Sequence, residues 1–379
     1  MSESLVPREL LAKADKILFV AHLALGDFTY LQNCFQAFAR AFPHIRIHLW
    51  VDETRRTRDA GQWEHLRKYS LYDWVDDCAL FDKVYRQTYS PQLLVRSIAE
   101  AQHERYPIVI SLAVLKRHFY AALIRKISPD GFVAGQRKRV RPWDIPKHLI
   151  YRRLDASIPA YVPRSAGLAH ISAIYAGWFR TLFGLEMTAE ERFPFVRIPP
   201  QWQQYAERQL AEWGFARGDK VLFLNAFSKS PERSWPLQRT IALAAAIRRQ
   251  PGWEDACFVV NVVPEKMAEA RRLFADCALP RIELFSAQEN FFQLPAILSL
   301  CTLIVTVETA VMHLANAVHV PVIALMRQTS PEWTPIDAAN SHVITVARRK
   351  GWVEEITVEQ VVAALPMAPA ADNRKGETA

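Results

Sequence analysis

The chain has 379 residues, half of them hydrophobic, and a formal net charge of +8. That length and apolar content exceed one ordinary domain and exclude a fibrous or low-complexity protein, so two domains with separate cores are expected. Cys34, Cys78, Cys257, Cys277 and Cys301 are widely spaced, with no CxxC pair and no His at ligand spacing, which argues against structural zinc and for a reducing compartment. The N-terminal MSESLVPRELLAKADK is charged and no later stretch reaches about 18 uninterrupted apolar residues, so a soluble cytoplasmic protein is expected.

The elements alternate strand and helix from the start. KILFVAHL, residues 16–23, is a strand apolar on both faces. A turn containing Gly26 and Asp27 leads to a helix in which Leu31, Phe35, Phe38, Ala39 and Phe42 share one face, and Pro43 ends it. The strand IRIHLWV, residues 45–51, then completes a right-handed, parallel βαβ unit. YPIVISLAV, residues 106–114, is a further buried strand followed by the helical KRHFYAALIRKI, and a long helix of mixed face covers residues 165–185. MTAEERFPFVRIPP, with three prolines, is expected to be an interdomain linker.

The alternation repeats from about residue 201. Strands are expected at KVLFLN, CFVVNVV, RIELF, LIVTV and PVIALM, and helices at LQRTIALAAAIRRQ and over residues 264–276, 291–300 and 310–319. Short connections between such elements imply an α/β protein with two Rossmann-like, doubly wound parallel sheets. The boundaries expected are 1–195 and 196–366, with a polar, disordered tail at 367–379.

The charge is unevenly spread. Residues 116–153 hold eleven Lys or Arg against two acids, Asp130 and Asp144, so the rest of the chain is nearly neutral. Its densest part, GQRKRVRPWDIPKHLIYRR, contains Pro142 and Pro146 and lacks helical periodicity, which predicts an exposed loop. A solvated surface, an anionic glycolipid at a membrane and nucleic acid are the alternatives. No nucleic-acid motif is present, and Trp143 and Tyr151 alone make no stacking platform.

VETAVMHLANAVHVPVIALM, residues 307–326, is the most informative stretch. It predicts a strand end, a tight turn, a helix and the next buried strand. The backbone NH groups of Thr309, Ala310 and Val311 would open the helix, a ready seat for an anion such as a diphosphate.

Together these segments resemble the ADP-heptose:lipopolysaccharide heptosyltransferases, inverting glycosyltransferases of family 9 with the GT-B fold, over about residues 17–365. ILFVAHLALGDFTYLQNCFQAFARAFPHIRIHLWV is similar to the family's strand, Leu-Gly-Asp turn and helix. SPERSWPL resembles its Lys-x-Trp-Pro loop, and VETAVMHLANAVHVPVIAL its Asp-Thr-Gly-x-x-His-x-Ala-x-Ala block. The resemblance implies two domains facing a central cleft, the first for the acceptor and the second for a nucleotide-sugar donor. Asp27 would be the general base, although Asp before a helix is also an ordinary cap. Ser228, Lys229, Arg233, Glu265, Glu308, Thr309, Ala310 and His313 would bind the donor. His313 would orient rather than transfer protons, and Trp235 would be structural.

Arg137, Lys138, Arg139 and Arg141 would meet an anionic glycolipid at the inner face of the cytoplasmic membrane. No metal and no cofactor are implied, because cations and helix dipoles can stabilise the leaving diphosphate. Three positions depart from the family pattern. Glu308 replaces Asp, Ala310 replaces Gly, and Arg327 stands where the family has Gly. Ala tolerates positive φ poorly, so the turn at Ala310 must lie in an allowed region or be strained. A binding-only or altered-donor relative and a nucleotide-sugar epimerase are the competing readings.

Overall fold

The computed structural model describes residues 4–161, 169–277 and 279–368. The chain divides into two compact units, Met1–Phe193 and Pro194–Ala379, the division falling within the proline-containing stretch expected to link domains. In the first unit the strands are β1 Lys16–Ala21, β2 Arg46–Val51, β3 Lys83–Tyr85, β4 Ile108–Ser111, β5 Phe132–Arg137 and β6 Ala156–Pro159. The second has β7 Val221–Asn225, β8 Cys257–Asn261, β9 Ile282–Phe285, β10 Leu303–Val307, β11 Val322–Met326 and β12 Ser341–Thr345.

Both sheets are parallel and share one topology. Their orders are β3-β2-β1-β4-β5-β6 and β12-β11-β10-β7-β8-β9. Each reverses direction beside its first strand, between β1 and β4 in one and β7 and β10 in the other. Such a switch point leaves a crevice at the carboxyl edge, the usual place for a ligand in a doubly wound sheet. The central strands are buried throughout, as in β7, β10 and β11, which explains their unbroken apolar runs.

The first helix after β1 spans Leu25–Ala41, so Gly26 and Asp27 lie in its first turn and not in a preceding loop. Leu31, Phe35 and Phe38 are buried, but so are Phe28, Tyr30, Gln32, Asn33 and Cys34. The single apolar stripe of the sequence underestimates this burial because a second helix, Ile171–Phe183, packs on the same helix. Phe179 stacks on Phe19 at 5.7 Å and meets Phe35 edge-on at 5.8 Å. Asn33 is tolerated inside because its Nδ2 donates to the Glu191 and Phe193 carbonyls, both at 2.7 Å.

That second helix is shorter than the 165–185 expected. His170 caps it, accepting from the Ser172 amide at 3.1 Å, and Gly184 ends it at φ 73°. Residues 165–168 of the expected span lie outside the described residues, as do residues 369–379 of the expected tail. The basic stretch is not one loop. Gly135–Arg137 finish β5, and Ile145–Tyr151 form a helix that starts with Pro146 in its first turn and has Asp144 as cap.

The sequence reading also missed β3, β5, β6 and β12 and the helices Pro91–His103 and Pro200–Glu212. β12 is a half-exposed edge strand with polar Ser341, His342 and Thr345, and β3 has three residues. Neither carries enough periodic signal to stand out.

Candidate functional site

In the first unit the site is built at the carboxyl edge of β1. The helix begins so soon after the strand that Asp27 falls at its third residue, where a carboxylate can turn back on the entrance. Its Oδ2 accepts from the Ala24 amide at 3.0 Å, and its Oδ1 accepts from the Tyr175 hydroxyl at 2.7 Å. Tyr175 is buried, and burial, followed by the Asp27 charge, pushes its phenol well above the ordinary range. It therefore stays a donor and favours ionised Asp27. Helix-end amides add the same preference. A half-buried carboxylate held on both oxygens is oriented.

Tyr175 was missed by sequence reasoning. It lies 148 residues from Asp27, and nothing in ISAIYAGWFRTLF marks one aromatic from the next. His22, just beyond β1, was missed as well. Its Nδ1 is buried without a hydrogen-bond partner, and its pKa falls to about 4 through burial and then the charge of Arg117. It is a neutral imidazole near the switch point.

In the second unit a chain of polar side chains fills the switch point. Asn225, at the end of β7, donates from Nδ2 to Thr306 Oγ1 at 2.8 Å and to Thr309 Oγ1 at 3.0 Å. Asn261, ending β8, donates to Asn225 Oδ1 at 2.8 Å. These bonds fix Thr309 as cap of the helix Ala310–Ala317, and Thr309 Oγ1 accepts from the Val311 amide at 3.3 Å. Val311 is thus engaged by the cap rather than open to an anion. Ala310 is not among the positive-φ residues, so Ala for Gly is accommodated without strain.

Glu308 is the residue just before that cap and is 5% exposed. Its Oε1 lies 3.5 Å from Arg233 Nη1, and its Oε2 accepts from the Arg327 amide at 3.4 Å. Burial raises its pKa, opposed by Arg233 and Arg327. Arg233 ends the short 3-10 turn Pro231–Arg233 and keeps a buried Nε with no hydrogen-bond partner. Arg327 donates from Nε to the Gly351 carbonyl at 3.0 Å and approaches Glu232 at 3.5 Å. The extra cation therefore ties three loops together behind Glu308.

The remaining expected residues are dispersed. Ser228 lies in the same loop, half-buried, its amide donating to Ser234 Oγ at 3.2 Å, and Lys229 is exposed beside it. Trp235 is buried and donates from Nε1 to the Ile356 carbonyl at 2.9 Å, a structural contact. His313 is 2% exposed with its ring 5.7 Å from Trp333, inside the fold rather than at its edge. Glu265 is exposed in the turn Pro264–Lys266 after β8. Arg137, Lys138, Arg139 and Arg141 are exposed on the first unit.

A cavity of about 740 Å³ lined by Arg8, Leu11, Phe42, His44 and Phe183 lies at the opposite, amino edge of the first sheet and contains none of these residues. Among the described residues no cluster of His, Cys, Asp or Glu suits a metal ion. No described helix is long and apolar enough to cross a membrane.

Comparison with known proteins connects both halves to one family. No curated protein sequence matches the chain. A glycosyl transferase family 9 structure from Veillonella parvula superposes with a TM-score of 0.71 at 17% identity, covering 96% of this chain and 97% of that one. E. coli ADP-heptose lps heptosyltransferase II gives 0.65 at 16% identity, covering 92% and 96%. E. coli heptosyltransferase WaaC with ADP-2-deoxy-2-fluoro heptose gives 0.58 at 15%, covering 92% and 98%. At such identities these likenesses establish the GT-B fold. The family model for glycosyltransferase family 9 (heptosyltransferase) matches residues 95–359, a span that takes in the whole Glu308 site and begins after Asp27. With most of its length inside that match, the chain belongs to glycosyltransferase family 9, the heptosyltransferases, and is a nucleotide-sugar glycosyltransferase.

Proposed function

We propose that the chain transfers a heptose, or a closely related sugar, from ADP-heptose to a hydroxyl of a lipopolysaccharide core acceptor, with inversion, at the inner face of the cytoplasmic membrane. The observation that carries this reading is the pairing of Arg233 with buried Glu308 at a helix N-terminus. A cation and the Thr309 and Ala310 amides at the helix entrance suit a diphosphate, and a carboxylate beside them suits the hydroxyls of the attached sugar. Asp27 accepts the proton of the attacking acceptor hydroxyl as the bond from sugar to diphosphate breaks. Arg233 and the helix N-terminus, with Ser228, Lys229 and Thr309 nearby in the same unit, hold the departing diphosphate. Glu265 contacts the nucleoside, and His313 orients the helix from within. Arg137, Lys138, Arg139 and Arg141 engage the anionic groups of the acceptor.

A donor screen with a lipopolysaccharide-core acceptor tests this. ADP release from ADP-heptose is expected, with none from UDP- or GDP-sugars. Release of another nucleotide would replace the donor, and binding without release would leave a binding-only protein. Reversing the charge of Arg137, Lys138, Arg139 and Arg141 should weaken acceptor use and spare donor affinity. Equal loss of both would remove the acceptor role.

A further inference from the structure

The basic excursion between β5 and β6 carries something its charge alone does not explain. Trp143 is 73% exposed, Ile145 63% and Leu149 55%, and Leu115, after the neighbouring strand β4, is 57% exposed. Ile145 and Leu149 stand one turn apart on the helix Ile145–Tyr151 and so share a face. Tyr151 of that helix is buried, and the helix packs against Arg117–Ile127, which follows Leu115.

The excursion is a built one. The Asp144 carboxylate accepts from the Lys147 amide at 3.4 Å and pairs with the Lys147 ammonium, and the His148 ring meets the Arg141 carbonyl at 3.0 Å. The Arg141 guanidinium lies over the Trp143 ring at 5.7 Å. The sole acid between Arg137 and Arg153 is therefore already paired, and the surrounding cations are uncompensated within the segment.

We infer that Trp143, Ile145, Leu149 and Leu115 form a surface that enters the interface of an anionic lipid bilayer, with Arg137, Lys138, Arg139 and Arg141 against its headgroups. Exposed aliphatic and indole side chains ringed by Lys and Arg match both layers of such an interface, apolar below and anionic above. A nucleic acid would take the cations and stack on Trp143, but it offers no apolar depth for Ile145, Leu149 and Leu115. Because the strands are parallel, Leu115, which follows β4, and Arg137, which ends β5, leave the sheet at the same carboxyl edge as Asp27, and the helix Ile145–Tyr151 returns from there towards the start of β6. A glycolipid hydroxyl would thus be presented to the side that bears Asp27. The inference rests on the glycolipid-acceptor reading for its purpose, but not for its test.

The full chain should co-sediment with vesicles of phosphatidylethanolamine and phosphatidylglycerol, and far less with phosphatidylcholine alone, in the absence of any acceptor. Trp143→Ser with Leu149→Ser should weaken that partition on the order of tenfold or more, and should reduce transfer to acceptor embedded in vesicles. Transfer to an acceptor stripped of its acyl chains should be unchanged, which also shows the variant to be folded. Failure of the parent chain to sediment, or sedimentation indifferent to the two serines, would overturn the inference, the latter leaving electrostatic adsorption alone. If no acceptor of any kind is used but vesicle binding behaves as described, the glycosyl-acceptor reading fails and the membrane surface stands.

Discussion

Asp27 and Glu308 each lie at the carboxyl edge of a six-stranded sheet with the same strand order, yet they are held in opposite ways. Asp27 follows the first strand of its sheet, is half-exposed, and receives two hydrogen bonds from Ala24 and Tyr175 that favour its charge. Glu308 follows the fourth strand of the other sheet and is buried, and burial resists its charge while Arg233 and the Arg327 amide support it. One topology thus supplies a half-exposed carboxylate oriented by two hydrogen bonds and a confined carboxylate beside a cation. The fold provides the edge, and the side chains around each switch point decide what the edge can do.

The largest effect that would sharpen this contrast is expected at Asp27. Asp27→Asn keeps the size and most of the packing but removes the base, so kcat should fall on the order of a thousandfold, with donor affinity by calorimetry and the far-UV spectrum unchanged. A rate within a few-fold of the parent would make Asp27 a cap and nothing more. At the other edge, Arg233→Ala should weaken donor binding about ten- to a hundredfold and change kcat less. A purely catalytic loss there would erase the distinction between the two halves.

Glu308 gives a test by pH. Its folded pKa is raised above the ordinary 4.5, so the folded state holds the proton more tightly than the unfolded chain. Its stabilising contribution is complete below about 4.5 and is lost as pH rises through the folded value. Glu308→Gln should therefore raise Tm relative to the parent at neutral pH, by an amount that shrinks towards acid, while impairing donor use. A variant less stable than the parent at neutral pH would mean that Arg233 and Arg327 outweigh burial.

Smaller effects are expected behind the two sites. Tyr175→Phe removes the donor that favours ionised Asp27, so the acid limb of the kcat/KM profile should move to higher pH with a few-fold loss of rate and about 1 kcal/mol of stability. An unmoved limb would break the link between Tyr175 and Asp27. Trp235→Phe keeps the ring but loses the bond to Ile356 and should cost about 1 kcal/mol by denaturant melts, with kcat and KM unchanged. A catalytic change would transfer Trp235 from scaffold to site.

The sequence by itself determined the α/β class, the two-unit organisation and most central strands, because runs such as KILFVA and LIVTV are buried on both faces and need no partner to be recognised. It also singled out Asp27, Arg233 and Glu308 as candidates, through local motifs resembling a known family. Edge elements such as β3 and β12 escaped because they are short or half-exposed, and periodicity is faint there. Only the tertiary structure decided that Tyr175 reaches Asp27 across 148 residues, that Arg327 braces Glu308 and Glu232, and that His313 is turned inward onto Trp333. Those are contacts between distant segments, set by how helices pack on a sheet, and no local pattern of residues encodes which pairs will meet.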